Sequence, residues 1–222
     1  MNDKNKEAVI KTIREAFGNN DYPGDDYLQG SFEGCEPYEE VGPLLPSKGR
    51  KEWENIDPEL LDSHFGALNF FSEAGLRFFL PAYLIADLRN ELKKADPSFV
   101  LVHGFSDLAV SHQIEERVFI HRTGKSSFVN LKRYGAMTWY DYARWRLSVF
   151  TREEAEAIVT YLKYRKDSDL YDLGTEQIDA ALNLYWLERA KNAPSAESLK
   201  QHLIEEEEYL AAISVDIDEH KQ

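Results

Sequence analysis

Cysteine is almost missing from this chain. Its one residue among 222, Cys35, can form no internal disulfide, so the fold must be held by its core, and a reducing cytoplasm is the expected setting. Long apolar runs are missing too. The longest, Leu76 to Ile85, is interrupted by Arg77 and Pro81 and reaches about half the roughly 20 residues a spanning helix needs, which predicts a protein that crosses no bilayer. The opening MNDKNKEAV lacks the apolar stretch of a secretory signal. Glycine and proline, at 12 and 8, are too few for a fibrous or low-complexity chain. Bases are outnumbered 26 to 40, so the net charge is −14 and duplex nucleic acid and anionic membranes are repelled at long range. What is present is a globular composition: 43% hydrophobic residues suffice for a core without metal or disulfide support.

The charge is uneven. Residues 19–62 carry −9 and 167–222 carry −10, whereas 117–166 carry +7. The simplest expectation is internal pairing, with the bases of the middle stretch facing the acids on either side.

Ala8, Val9, Ile13, Ala16 and Phe17 lie near helical spacing, and Gly18-Asn19 supplies a stop, which predicts a helix ending near Phe17. Residues 19–50 hold much of the glycine and proline and predict a long loop packed on the body by its aromatics. Asp57-Pro58 reads as a cap and first turn. Ser72 caps a central helix running through Leu76, Phe79, Leu80, Tyr83, Leu84, Leu88 and Leu92, which Pro81 is expected to break or kink. Asp96-Pro97 closes that segment. SFVLVHGF, RVFIH and SFVNL are short and β-branched or aromatic, with RTGKS as a hairpin turn, so a small antiparallel sheet is expected across 98–134. Thr151 and Glu154 form a capping-box pair before Ala155, Ile158, Val159 and Leu162. Further helices start near Thr175 and Ser195. The expected class is therefore α+β, mostly helical, with a main domain over 1–170 and a C-terminal helical pair over 171–222 packed on it.

No motif carries a complete chemistry. TGKSS at Thr123 to Ser127 looks like the end of a phosphate-binding loop, but Phe119 stands where the first glycine is required. His103, His112 and His121 recur every nine residues, a spacing that puts no two ligands on one helical turn, so no metal or other cofactor is expected. Cys35 lies between Glu33 and Glu36, whose charge raises a thiol pKa and makes it a poor nucleophile. The basic stretch interleaves cations with aromatics, a mixture suited to a stacked ring with a phosphate. It nominates His121, Arg122, Lys125, Arg133, Trp139 and Trp145 as ligand-binding residues. The acidic loop nominates Asp25, Asp26, Glu39 and Glu40 for a basic protein partner.

YPGDDYL at Tyr22 to Leu28, the isolated Trp53, LNFFSEAGLRFFLPAYLIADL at Leu68 to Leu88 and FTREEAEAIVTYLKYR at Phe150 to Arg165 resemble an uncharacterised bacterial family, a domain of unknown function. The likeness covers roughly residues 10–165. It implies a bacterial cytoplasmic protein and transfers no activity to any residue. Read physically, it suggests a unit in which the PGDD loop packs on the proline-containing helix, with a loop aromatic or amide satisfying the carbonyl that Pro81 leaves unbonded. The expected function is an acidic, non-catalytic interaction module of the immunity or accessory type. An enzyme or sensor for a phosphate-bearing small molecule or nucleotide, using 117–146, stands as the alternative. A metal-dependent hydrolase built on Asp25, Asp26 and histidines is a weaker one.

Overall fold

Helices follow one another through this computed structural model, which describes residues 3–45, 52–105, 108–114, 117–123, 139–168 and 174–219. For Asp3, Trp139, Asp141, Ala196 and residues 108–114, 117–123 and 213–219 it describes the backbone alone. In the first half the helices are α1 (Asp3–Phe17), α2 (Glu36–Val41), α3 (Pro58–Ser63), α4 (Ala67–Phe70), α5 (Glu73–Leu88) and α6 (Pro97–Val102). In the second half they are α7 (Trp139–Arg146), α8 (Arg152–Ser168), α9 (Thr175–Ala181), α10 (Leu187–Lys191) and α11 (Ala196–Glu219).

Capping chemistry sets many of their starts. The Asp57 carboxylate accepts from the Glu59 amide at α3, and Ser72 Oγ accepts from the Gly75 amide at 2.8 Å at α5. At α8 the Thr151 amide donates to Glu154 at 2.8 Å while Thr151 Oγ1 accepts from the Glu154 amide at 3.3 Å, both halves of a capping box. α1 stops at Phe17, as its spacing predicts.

α5 is the centre of the core, with Leu76, Phe78, Phe79, Tyr83, Leu84 and Ile85 all buried, so it is enclosed on every side. α1, α3 and α6 pack against it, and α8 packs against α1 and α10. Glu154, 1% exposed, also binds Arg77 of α5 at 2.9–3.0 Å, so the cap of α8 is tied to the central helix.

α5 runs from Glu73 to Leu88 with no break at Pro81, and its expected extent to Leu92 is corrected. The Arg77 carbonyl, one turn back and unable to bond to a proline nitrogen, accepts instead from Asn20 Nδ2 at 2.9 Å. The helix ends at Leu88, before Leu92. Asn90 takes φ 58°, and the amides of Asn90 and Glu91 donate back to the Asp87 and Ala86 carbonyls at 2.9 Å, a left-handed stop formed without glycine. Within the expected loop, residues 36–44 are helical, because Pro37 and Pro43 stand in the first turns of α2 and of the short turn Gly42–Leu44, where a missing amide costs nothing.

The fold is all-α, which corrects the α+β expectation. SFVLVHGF is not a strand. Asp96 caps α6 through the amides of Ser98 and Phe99, and Pro97 occupies its first turn, so local chemistry overrides the β-branched content. The backbones of 108–114 and 117–123 run antiparallel, with Leu108 opposite Thr123 and Ile114 opposite Arg117. This two-stranded ribbon stands beside eleven α-helices among the described residues, too little to make a sheet layer. The expected SFVNL strand and RTGKS turn lie largely outside the described residues.

Candidate functional site

The YPGDDYLQG segment is joined to the start of α5. Ser72 donates through its amide to the Leu28 carbonyl at 2.8 Å and through its hydroxyl to the Tyr27 carbonyl at 2.5 Å, and the Gly30 amide donates to the Phe70 carbonyl at 2.8 Å. The approach is close enough to demand glycine: a Cβ on Gly75 would lie 2.5 Å from the Leu28 oxygen. Tyr22 packs edge-on against Phe78 at 5.2 Å, and its hydroxyl donates to the Asp25 carboxylate. Burial, then Asp25, holds that phenol well above its ordinary pKa. Asp25 and Asp26 are exposed.

α11 arrives at the same place from the far end of the chain. Glu206, 3% exposed, accepts from the Glu73 amide at 2.5 Å and the Ala74 amide at 3.0 Å, so its charge sits on the N-terminus of α5, where amides lack intrahelical partners. Trp145 Nε1 donates to Glu73 Oε1 at 3.1 Å, and its ring meets that of His202 at 5.2 Å. α11 also packs on the Asp25–Tyr27 turn. The two most acidic stretches of the chain therefore converge beside the start of α5, with Glu205 and Glu208 exposed and Glu206 turned inward.

Of the nominated residues, the structure describes the side chains of Trp145, Asp25, Asp26, Glu39 and Glu40. Trp145 belongs to the α5 terminus. His121 and Arg122 lie on the second strand of the ribbon and Trp139 opens α7, all with the backbone alone described, and Lys125 and Arg133 lie outside the described residues. Glu39 is exposed on α2, whereas Glu40 accepts from the Gly66 amide at 2.8 Å and serves the fold. Some bases of 117–166 do face acids from the flanking stretches: Arg165 lies 3.4 Å from Asp87, and Lys166 lies 2.6 Å from Asp179. Burial raises the Asp87 carboxyl above its ordinary value despite Arg165 and the Tyr161 hydroxyl, which work to lower it. Arg152 pairs within its own helix with Glu156 at 3.1 Å.

Arg146 was not nominated, and it lines a cleft of about 270 Å³ between α6 and α7. Phe99, Val100, His103, Tyr142 and Leu147 share the lining. Phe99 stacks on His103 at 4.7 Å, and burial pushes the imidazole pKa down. The sequence signal for this site is Tyr142 and Arg146 at a spacing of four, one face of a helix. Among the described residues no group of three His, Cys, Asp or Glu side chains is placed to hold a metal ion. No helix among them is long and apolar enough to cross a membrane.

A family model described as a family of unknown function, DUF6714, matches residues 5–190. The match spans the four segments that carry the resemblance noted above and ends before α11. No curated protein and no solved structure matches the chain.

Proposed function

The chain belongs to this family of unknown function, which brings no activity with it, and we propose that the protein is an acidic, non-catalytic interaction module that binds a basic protein segment. An immunity or accessory role fits that chemistry. The observation that carries the reading is the packing of α11 on the Asp25–Tyr27 turn, which draws the exposed carboxylates of Asp25, Asp26, Glu205 and Glu208 toward one region. Two further facts support it. The net charge is −14, and Arg165 and Lys166 of the basic stretch are engaged with Asp87 and Asp179. An exposed face of one sign speeds encounter with a partner of the other and excludes like-charged competitors.

The test is a titration with a lysine-rich peptide at low and moderate salt. Neutralising Asp25, Asp26, Glu205 and Glu208 together to their amides is expected to weaken binding at least about tenfold and flatten its salt dependence. Neutralising four exposed acids elsewhere, Glu7, Glu91, Glu153 and Glu176, is expected to change it little. Equal loss in both variants would reduce the effect to net charge and remove the case for a defined face.

A further inference from the structure

The cleft between α6 and α7 holds a charge that no described carboxylate neutralises. Arg146 is 8% exposed, donates to the Asn69 carbonyl at 3.3 Å and to the Leu68 carbonyl, and pairs with no carboxylate among the described residues. Buried Arg189 also donates to two backbone carbonyls, those of Ser148 and Phe150, but it has Glu188 and Glu154 within electrostatic reach. Two carbonyls use two of the five donors of a guanidinium and supply no negative charge, so a largely desolvated cation remains in the cleft wall. The rest of the lining is neutral or apolar: Phe99, Val100, Ala143 and Leu147, with His103 depressed toward its neutral form.

We propose that this cleft binds a small organic monocarboxylate, its carboxylate on Arg146 and its apolar body against Phe99, Val100 and Leu147. A neutral ligand would bury the guanidinium further without a counter-charge. A phosphate dianion would bring a second charge into a lining whose one described cation is Arg146. The inference does not rest on the acidic face, which uses other residues.

Benzoate is the probe, followed by calorimetry and by amide chemical shifts on the full chain at neutral pH. It is expected to bind saturably at or below millimolar concentration. Benzamide, similar in shape without the charge, is expected to bind at least about tenfold more weakly, the worth of one charge-assisted hydrogen bond. Phenyl phosphate is also expected to bind more weakly than benzoate. Because Arg146 anchors the end of α4 as well, Val100→Trp is the informative variant: it fills the cleft, leaves the guanidinium in place and should abolish benzoate binding. No saturable benzoate binding, benzamide as tight as benzoate, or benzoate binding unchanged in Val100→Trp would each overturn the proposal. Engagement of the cleft by an acidic peptide but not by benzoate would assign it to a partner's side chain and overturn it as well.

Discussion

Replacing Asn20 by alanine removes the amide that satisfies the Arg77 carbonyl below Pro81, at 2.9 Å. An acceptor left without a partner costs about 1–3 kcal/mol when fully buried, and Asn20 is half-buried, so water recovers part of the loss and about 1–2 kcal/mol is expected. Proline is the reason the carbonyl needs outside help. In a Pro81→Ala background residue 81 regains an amide hydrogen directed at the same oxygen, and Asn20→Ala should then cost no more than about 0.5 kcal/mol. The double-mutant cycle therefore predicts a coupling of about 1 kcal/mol, whatever Pro81→Ala does alone. Urea unfolding of the four proteins measures it, with m-values checked for equality. In a chain of this size the melting temperature should fall by about 2–4 °C per kcal/mol. Equal cost of Asn20→Ala in both backgrounds would refute the reasoning, because it would mean that Asn20 acts through something other than this carbonyl.

Within one acidic run, Glu206→Gln is expected to cost about 1–2 kcal/mol by removing the charge from the N-terminus of α5, while Glu208→Gln, exposed two residues on, should stay within about 0.5 kcal/mol. Parallel denaturation curves check the contrast, and similar losses would contradict the role given to Glu206. Burial works to raise the Asp62 carboxyl, but the amides of Lys94, Ala95 and Lys93, which it accepts at 2.7–3.0 Å, outweigh that and hold it below the ordinary 3.8. A depressed folded-state pKa means that the unfolded chain binds the proton more readily. The stabilisation is therefore complete above that ordinary value and lost as pH falls through the folded one. Asp62→Asn should be less stable than the parent at neutral pH and converge with it on acidification; a gap independent of pH would contradict this.

Legibility followed the range of the interaction. The caps at Asp57, Ser72 and Thr151/Glu154 involve partners within three residues and could be read directly from the chain. A loop amide beneath Pro81 could be anticipated too, since a proline in a core helix must leave one carbonyl to be satisfied, although only the structure identifies Asn20. The same local chemistry was misread at Asp96-Pro97. That pair marks a stop when read from the helix before it, but it starts α6 just as Asp57-Pro58 starts α3. The aliphatic and aromatic run after it then suggested a strand. Spacing along the chain does not sort the end of α7. Trp145 and Arg146 are neighbours in sequence and belong to different places, one facing Glu73 and His202, the other the α6–α7 cleft, because successive residues on a helix point about 100° apart.

Composition alone determined that this is an acidic, core-forming chain without disulfides, and local spacing determined where many of its helices begin. Which member of Glu205–Glu208 is buried, which arginine in the α6–α7 cleft meets no described carboxylate, and that two acidic stretches meet beside α5 were decided by the tertiary structure. The physical reason is distance along the chain. Glu206 reaches an amide 133 residues away, and nothing within a few residues distinguishes it from its neighbours until packing removes one of the four from water.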